Sequence, residues 1–158
     1  MDARRALRGL AVRVALDTTI LVYAEGVNGR PMEVAALDIL DFLRHRVTLI
    51  TPAQALGELF AVLVRKAGRN PADARRAILA WRAVTQAADT TDSVLLAAAD
   101  LALNHFAIWD AVVVCAAAEA GCQLLLSEDM QDGFVWRGVT IVNPFAKTKH
   151  PLLQALMP

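Results

Sequence analysis

The feature that most constrains the fold is a regular alternation of short apolar runs with longer segments of helical periodicity. The apolar runs are residues 11–17, 47–51, 123–127 and 139–143. The helical segments are residues 31–46, 52–66, 71–87, 92–106 and 108–121. Short apolar strands separated by helices are typical of a parallel sheet that is covered on both faces. We therefore predict an α/β fold, a three-layer α/β/α sandwich with a central parallel sheet.

Specific residues mark where these helices begin and end. Thr51–Pro52 and Asn70–Pro71 each place a capping residue before a proline at the first helical position. Gly121 is typical of the residue that ends a helix. These signals predict helix starts near residues 52 and 71 and a helix end near residue 121.

Length and composition limit the class of protein. A chain of 158 residues with 56% hydrophobic residues and a mean hydropathy of +0.42 is not disordered and suits one domain. We predict a single domain over residues 1–158, with its core at about 12–145 and a short extension at each end. Arg13 interrupts the apolar part of the N-terminus and no apolar run is long enough to span a membrane, so we expect a cytoplasmic protein without a signal peptide. Cys115 and Cys122 lie in apolar segments and are predicted to be core thiols.

The net charge is zero, but the charges are unevenly distributed along the chain. Residues 65–82 contain six basic residues and one acid, which gives a charge of +5. Residues 83–136 contain eight acids and no Lys or Arg, which gives −8. The basic block is either a solvated helix face or a patch for a polyanion such as nucleic acid. The acidic stretch is harder to assign to the solvated surface, because no bases are interleaved with its acids.

Two acids follow predicted strands. Asp17 ends the first strand, and Asp129 comes two residues after the strand that ends at Ser127. Ligands of open parallel sheets bind beyond the carboxyl ends of the strands, so both acids are candidates for a binding site. The alternatives are that Asp17 caps the following helix and that Asp129 is a turn residue.

Two further acids lie within predicted helices and lack partners. Glu58 has no basic residue three or four positions away, and Asp110 has only apolar residues at those positions. An ionised carboxylate among apolar groups is costly unless a cation or hydrogen bonds satisfy it. The alternatives are a solvated helix face for Glu58 and a favourable contact with the helix dipole for Asp110.

Together the four acids predict that two strand ends and two helices converge on one site. Two carboxylates about 5 Å apart repel by roughly 3 kcal/mol at an effective dielectric constant near 20. Such a cluster must bind cations or take up protons. Because the ligands are all oxygen atoms, Mg²⁺ or Mn²⁺ is the predicted cofactor.

Five segments, in this order along the chain, carry a family resemblance. They are "LDTTILVYA", "ALGEL", "WDAVVVCAAAEAGC", "LLLSEDMQDG" and "VTIVNPF". The set resembles the PIN-domain ribonucleases, and most closely the VapC-type toxins of bacterial type II toxin–antitoxin pairs. It spans about residues 12–145, so the resemblance implies a PIN-like fold for most of the chain.

The resemblance implies a role for particular residues. It assigns catalysis and metal binding to the four acids Asp17, Glu58, Asp110 and Asp129. It gives supporting roles to Thr18, Thr19, Ser127 and Asp132, the last as a turn residue or an indirect contact. Many members of the family have Asn at the position of Thr19, so this chain departs from the pattern there.

The implied activity is metal-dependent hydrolysis of RNA phosphodiesters by the toxin of such a pair. Because the acids repel RNA, basic residues must contact its backbone. The candidates are Arg30 and the basic block of residues 65–82, in particular Arg65 and Arg69. The implied partners are RNA, a cognate VapB-like antitoxin and a second copy of the chain in a homodimer, with no membrane.

Two other functions remain open from the sequence. The first is a catalytically silent module that keeps the fold and binds RNA or protein, for which Thr19 is the best support. The second is a phosphohydrolase with Asp17 as nucleophile. That chemistry usually requires a second Asp two positions later, where this chain has Thr19, and a lysine near the last acids.

Overall fold

The structure is a computed structural model that describes residues 2–9 and 11–157. The helices are α1 (Ala3–Leu7), α2 (Thr18–Ala24), α3 (Arg30–Leu43), α4 (Ala53–Arg65), α5 (Pro71–Val84), α6 (Asp92–Ala102), α7 (Ile108–Glu119) and α8 (Pro151–Leu156). The strands are β1 (Arg13–Leu16), β2 (Thr48–Pro52), β3 (Gln86–Ala88), β4 (Leu124–Leu126), β5 (Val135–Trp136) and β6 (Val139–Val142).

The strands form one sheet in the order β3-β2-β1-β4-β6-β5. All neighbours pair in parallel except β5, which forms an antiparallel pair with β6. The inner strands β4 and β6 are buried along their whole length, as expected for a sheet with helices on both faces. The predicted α/β sandwich with a mostly parallel central sheet is therefore confirmed.

The strand order reverses between β1 and β4. From β1 the chain moves through β2 to β3 on one side, and it then returns to place β4 on the other side of β1. Leu16 is paired with Leu126 at the carboxyl ends of these two strands, and the Asp17 amide donates to the Leu126 carbonyl at 2.9 Å. A reversal of this kind opens a crevice, and Asp17 and Ser127 lie side by side at that point.

The predicted helices over residues 31–46, 71–87 and 92–106 end three or four residues earlier in the structure, and the predicted cap of α4 is wrong, although its start near residue 52 is right. The helix predicted for residues 71–87 ends at Val84, and Gln86–Ala88 pairs with β2 as an edge strand. Thr51 does not cap α4, because it is the fourth residue of β2 and Pro52 occupies the capping position. The hydroxyls of Thr51, in β2, and Thr85, directly before β3, lie 2.7 Å apart and link these two strands.

The chain termini also differ from the sequence-based boundaries. Short helices α1 and α8 pack against each other, and Leu153 of α8 is completely buried. The hydrophobic core thus runs from Val12 to Leu153, beyond the predicted limit near residue 145. Cys115 and Cys122 are free, buried thiols as predicted, and burial raises the pKa of Cys122 to about 11. Within the described ranges, none of the helices has the length and apolar character needed to cross a membrane.

Candidate functional site

Asp17 is directed towards the neighbouring strand end and not along its own helix. It occupies the capping position of α2, yet its side chain makes no capping hydrogen bond. Instead the Ser127 hydroxyl donates to Asp17 Oδ2 at 2.8 Å, and Asp17 is only 3% exposed. The same hydroxyl lies 3.2 Å from Asp129 Oδ1. Because a hydroxyl carries one proton, Ser127 can donate to only one of these two carboxylates at a time.

Thr19, the residue that departs from the family pattern, connects α2 to the acidic loop after β4. Its hydroxyl oxygen accepts a hydrogen bond from the Glu128 amide at 3.3 Å. Glu128 lies directly between Ser127 and Asp129, so this bond fixes the loop that carries Asp129. Thr at this position thus retains a polar contact within the site.

Glu58 projects from α4 towards α2, and hydrogen bonds satisfy both of its carboxylate oxygens. The Thr18 hydroxyl donates to one oxygen at 2.8 Å, and the Gln54 side-chain amide donates to the other at 3.0 Å. Glu58 is half-buried, and no Lys or Arg of the described residues forms an ion pair with it. The solvated helix face considered from the sequence therefore does not describe this side chain.

Asp110 lies in the first turn of α7 and is half-buried. Its pKa is raised, first by burial and then by the negative charges of Asp129 and Glu58. Contacts between α4 and α7 bring the two helical acids to the same end of the sheet. The structure thus brings together all four acids that the sequence predicted to converge.

One cavity of about 250 Å³ contains these acids. Asp17, Glu58, Asp110 and Asp129 line it together with Thr18, Thr19, Val22, Tyr23, Val27, Asn28, Val62 and Lys66. Asp132 lies outside the lining and accepts a hydrogen bond from the Asn143 amide at 2.8 Å, which ties the loop before β5 to the residue that follows β6. A larger cavity, of about 750 Å³, is lined by residues of α3, β2 and α5 and contains none of the four acids.

The electrostatics of the cavity favour the uptake of positive charge. The pKa of Asp17 is raised from its usual 3.8 to about 7, chiefly because burial disfavours the ionised carboxylate. The hydrogen bonds from Ser127 and from the Thr18 amide lower it, and the charges of Asp129 and Asp110 raise it further. In the absence of a cation, Asp17 therefore binds a proton close to neutral pH.

The donor set fits a hard divalent cation. All four acids offer oxygen atoms, which Mg²⁺ and Mn²⁺ prefer, and Mg²⁺ usually keeps several waters in addition to one or two carboxylates. As the side chains stand, no group of three acidic, His or Cys residues in the described part of the chain is arranged to hold an ion. Asp17 and Glu58 are turned towards hydroxyl and amide donors, so an ion here would be held partly through water.

Sequence reasoning missed two polar residues of this cavity, Tyr23 and Asn28. It counted Lys66 in the basic block of residues 65–82 but did not place it beside the acids. A signal for Lys66 existed, because it lies eight positions after Glu58 on the same helical face. Burial and the neighbouring Glu128 carboxylate raise the pKa of Tyr23, so its hydroxyl remains a donor at neutral pH.

The three arginines predicted to contact RNA have different surroundings. Arg30 forms an exposed ion pair with Glu33, whereas Arg69 is held against Glu25 at 2.8 Å. Arg65 is exposed and has no ion pair within residues 2–9 and 11–157. Arg65 is thus the one of the three whose charge is fully available to a ligand.

Comparison with protein families adds a decisive observation. The family model of the PIN domain matches residues 14–131, well over half of the chain, and all four acids lie within the match. This chain belongs to the PIN-domain family. Nucleases of this family generally use divalent metal ions, in agreement with the oxygen-only donor set of the cavity. Comparison with curated protein sequences gives no match.

Two solved structures share the fold of this PIN domain. A chain in the crystal structure of VapBC2 from Rickettsia felis, bound to a DNA fragment from its promoter, has a TM-score of 0.59 at 14% identity, over 75% of this chain and 89% of that one. VapC20 from Mycobacterium tuberculosis, a toxin that cleaves the sarcin–ricin loop, has a TM-score of 0.57 at 19% identity, over 71% of this chain and 86% of that one.

Proposed function

We propose that this protein is a metal-dependent endoribonuclease that acts as the toxin of a toxin–antitoxin pair. The observation that carries the proposal is the convergence of four carboxylates, from two strand ends and two helices, on one cavity of a PIN domain. The structural likeness to VapC20, which cleaves RNA, supports RNA as the substrate. The likeness to VapBC2 supports an antitoxin as the partner.

Each acid has a distinct place in the proposed site. Asp17, Glu58 and Asp110 would hold Mg²⁺ or Mn²⁺, directly or through water. When bound, the ion would lower the pKa of a water molecule and offset negative charge on the phosphate. Asp129 is the most exposed of the four, so it is suited to accept a proton from the attacking water at the mouth of the cavity.

Neighbouring side chains would keep these acids in position. The Ser127 hydroxyl lies within hydrogen-bond distance of both Asp17 and Asp129, so it can donate its proton to either carboxylate. Thr18 and Gln54 donate to Glu58, and these bonds limit how its carboxylate can turn. The attacking water would add to the phosphorus atom as the bond to the leaving ribose oxygen breaks.

The experiment measures metal binding and RNA cleavage in the same preparations. Wild-type protein, the double variant Glu58→Gln/Asp110→Asn and the control Glu119→Gln are compared in Mn²⁺ with a single-stranded RNA. Glu119 lies at the end of α7 and does not line the cavity. We expect Mn²⁺ to raise the melting temperature of the wild type and the control but not of the double variant, because the ion binds only the folded site.

Cleavage should follow the same pattern, with full activity in the control and loss in the double variant. If the wild type bound Mn²⁺ but cleaved no RNA, the chain would be the catalytically silent module instead. An equal Mn²⁺ shift in the double variant would mean that the ion binds elsewhere, and the proposed site would be wrong.

A further inference from the structure

Lys66 places one positive charge in a cavity that otherwise contains four acids. Glu58 and Val62 of α4 and Lys66, the residue directly after this helix, follow one another at intervals of four residues, so they lie on the same side of the helix. All three line the cavity, and Lys66 is the single Lys or Arg among the described lining residues.

The charge of Lys66 is not used to neutralise the acids. Its side chain is exposed, and within the described ranges its ammonium group lies within 4.0 Å of no carboxylate. It therefore borders the acids and remains available to an anion that enters the cavity. A phosphate is such an anion, and a Lys ammonium group binds phosphate as a compact point charge.

A set of contacts around Arg69 holds this part of the chain in place. The Arg69 guanidinium donates to Glu25 Oε2 at 2.8 Å and to the Glu25 carbonyl at 2.9 Å. The Trp81 indole donates to the other carboxylate oxygen of Glu25 at 2.8 Å. The segment that begins at Lys66 is thus tied to the end of α2, whose following turn carries Asn28 into the same cavity.

We propose that Lys66 binds a phosphate of the RNA strand at the acidic cavity. This inference rests on the proposed function, because it concerns how the same site holds its substrate. Lys66 and the metal ion are both positive and repel each other, so the lysine favours RNA binding while it opposes metal binding. These opposite effects separate a substrate contact from a structural role.

The experiment compares Lys66→Met with Lys147→Met. Lys147 is exposed and does not line the cavity, and its replacement is chemically identical. RNA affinity is measured by fluorescence anisotropy without divalent ions, KM and kcat are measured with Mn²⁺, and Mn²⁺ affinity is measured by calorimetry. We expect Lys66→Met to weaken RNA binding and raise KM about tenfold with kcat within about threefold, and to reduce the salt dependence by about one phosphate contact.

The Mn²⁺ affinity of Lys66→Met should be equal to or tighter than that of the wild type. RNA affinity equal to that of Lys147→Met would overturn the assignment of Lys66, and so would a loss of Mn²⁺ affinity, which indicates a structural role. If the wild type cleaved no RNA, the proposed function would fall, while the anisotropy comparison would still decide whether Lys66 contacts RNA.

Discussion

Replacement of Asp17 by Asn tests the electrostatics of the cavity most directly. The pKa of this carboxyl is raised from 3.8 to about 7 in the folded protein, so its ionisation at pH 8 costs about 4 kcal/mol relative to the unfolded chain. Asp17→Asn removes that cost. The Asn amide group must find hydrogen-bond acceptors in a buried position, and the cost of this offsets part of the increase in stability. We expect a net stabilisation of the metal-free protein of about 2 kcal/mol, or roughly 4–8 °C in melting temperature for a chain of this size.

The pH dependence of this effect has a definite sign. Because the folded-state pKa is raised, the folded protein binds more protons than the unfolded chain between about pH 4 and pH 7. The wild type therefore loses stability as the pH rises through that range, whereas Asp17→Asn does not lose this contribution. At pH 4 only the cost of the buried amide remains, so Asp17→Asn should be less stable than the wild type by about 2 kcal/mol, and it should become the more stable of the two proteins above about pH 7.

The assay is thermal unfolding of both proteins in EDTA from pH 4 to pH 8, repeated at pH 8 with saturating Mn²⁺. Bound Mn²⁺ at 100 times its Kd stabilises the wild type by about 2.7 kcal/mol, so the order of the two melting temperatures should reverse. RNA cleavage by Asp17→Asn should fall at least about 100-fold, which corresponds to about 2.7 kcal/mol of transition-state stabilisation. A pH-independent difference, or wild-type cleavage by metal-loaded Asp17→Asn, would refute the reasoning.

Three further predictions concern the loop after β4, the homodimer and the antitoxin. Thr19→Val removes the acceptor of the Glu128 amide and should destabilise the protein by about 1–2 kcal/mol in urea unfolding. Thr19→Asn keeps an acceptor and should retain most of the wild-type stability. Equal stability of the two variants would contradict the contact. Leu103 is 82% exposed, and α6 and α7 carry other exposed apolar residues, so we expect sedimentation to show a homodimer that Leu103→Glu dissociates. We also expect an antitoxin from the neighbouring gene to co-purify with this protein. The antitoxin should place an Arg or Lys in the acidic cavity and protect growth of cells that express the toxin; a monomeric wild type, or no captured neighbour, would contradict the respective claim.

The apolar surface differs from what the sequence indicated. The segments 31–46 and 52–66 contain more large apolar residues than one buried face requires, and this pattern predicts uncovered surface on both. Val34 and Leu37 of α3 are indeed about 40% exposed, but all large apolar residues of α4 are at least partly buried between α2, α5 and α7. The most exposed apolar residues lie elsewhere: Leu103 directly after α6, Val84 at the end of α5, Leu96 on α6 and Val135 of β5. Hydrophobicity alone gives no indication that these side chains face solvent.

The acids could be found from sequence because each breaks a local rule. Asp17 ends a buried strand, and Glu58 lacks a basic neighbour on its helix. Edge strand β3 could not be found in this way, because Gln86–Ala88 contains no β-branched residue and pairs only through contacts with β2. The partner of Arg69 was equally hidden, because Glu25 is 44 positions away and only tertiary packing brings the two together.

The position of β4 in the sheet has a consequence for the cell that makes this protein. Strands β1, β2 and β3 are synthesised first and lie on one side, whereas β4 must add to the free edge of β1 to bring Asp129 next to Asp17. More than a hundred residues separate these two acids, so at about 5–20 residues per second a ribosome takes roughly 5–20 s between them. The growing chain therefore has no complete acidic cavity until β4 has been synthesised, and the nuclease cannot act during that interval.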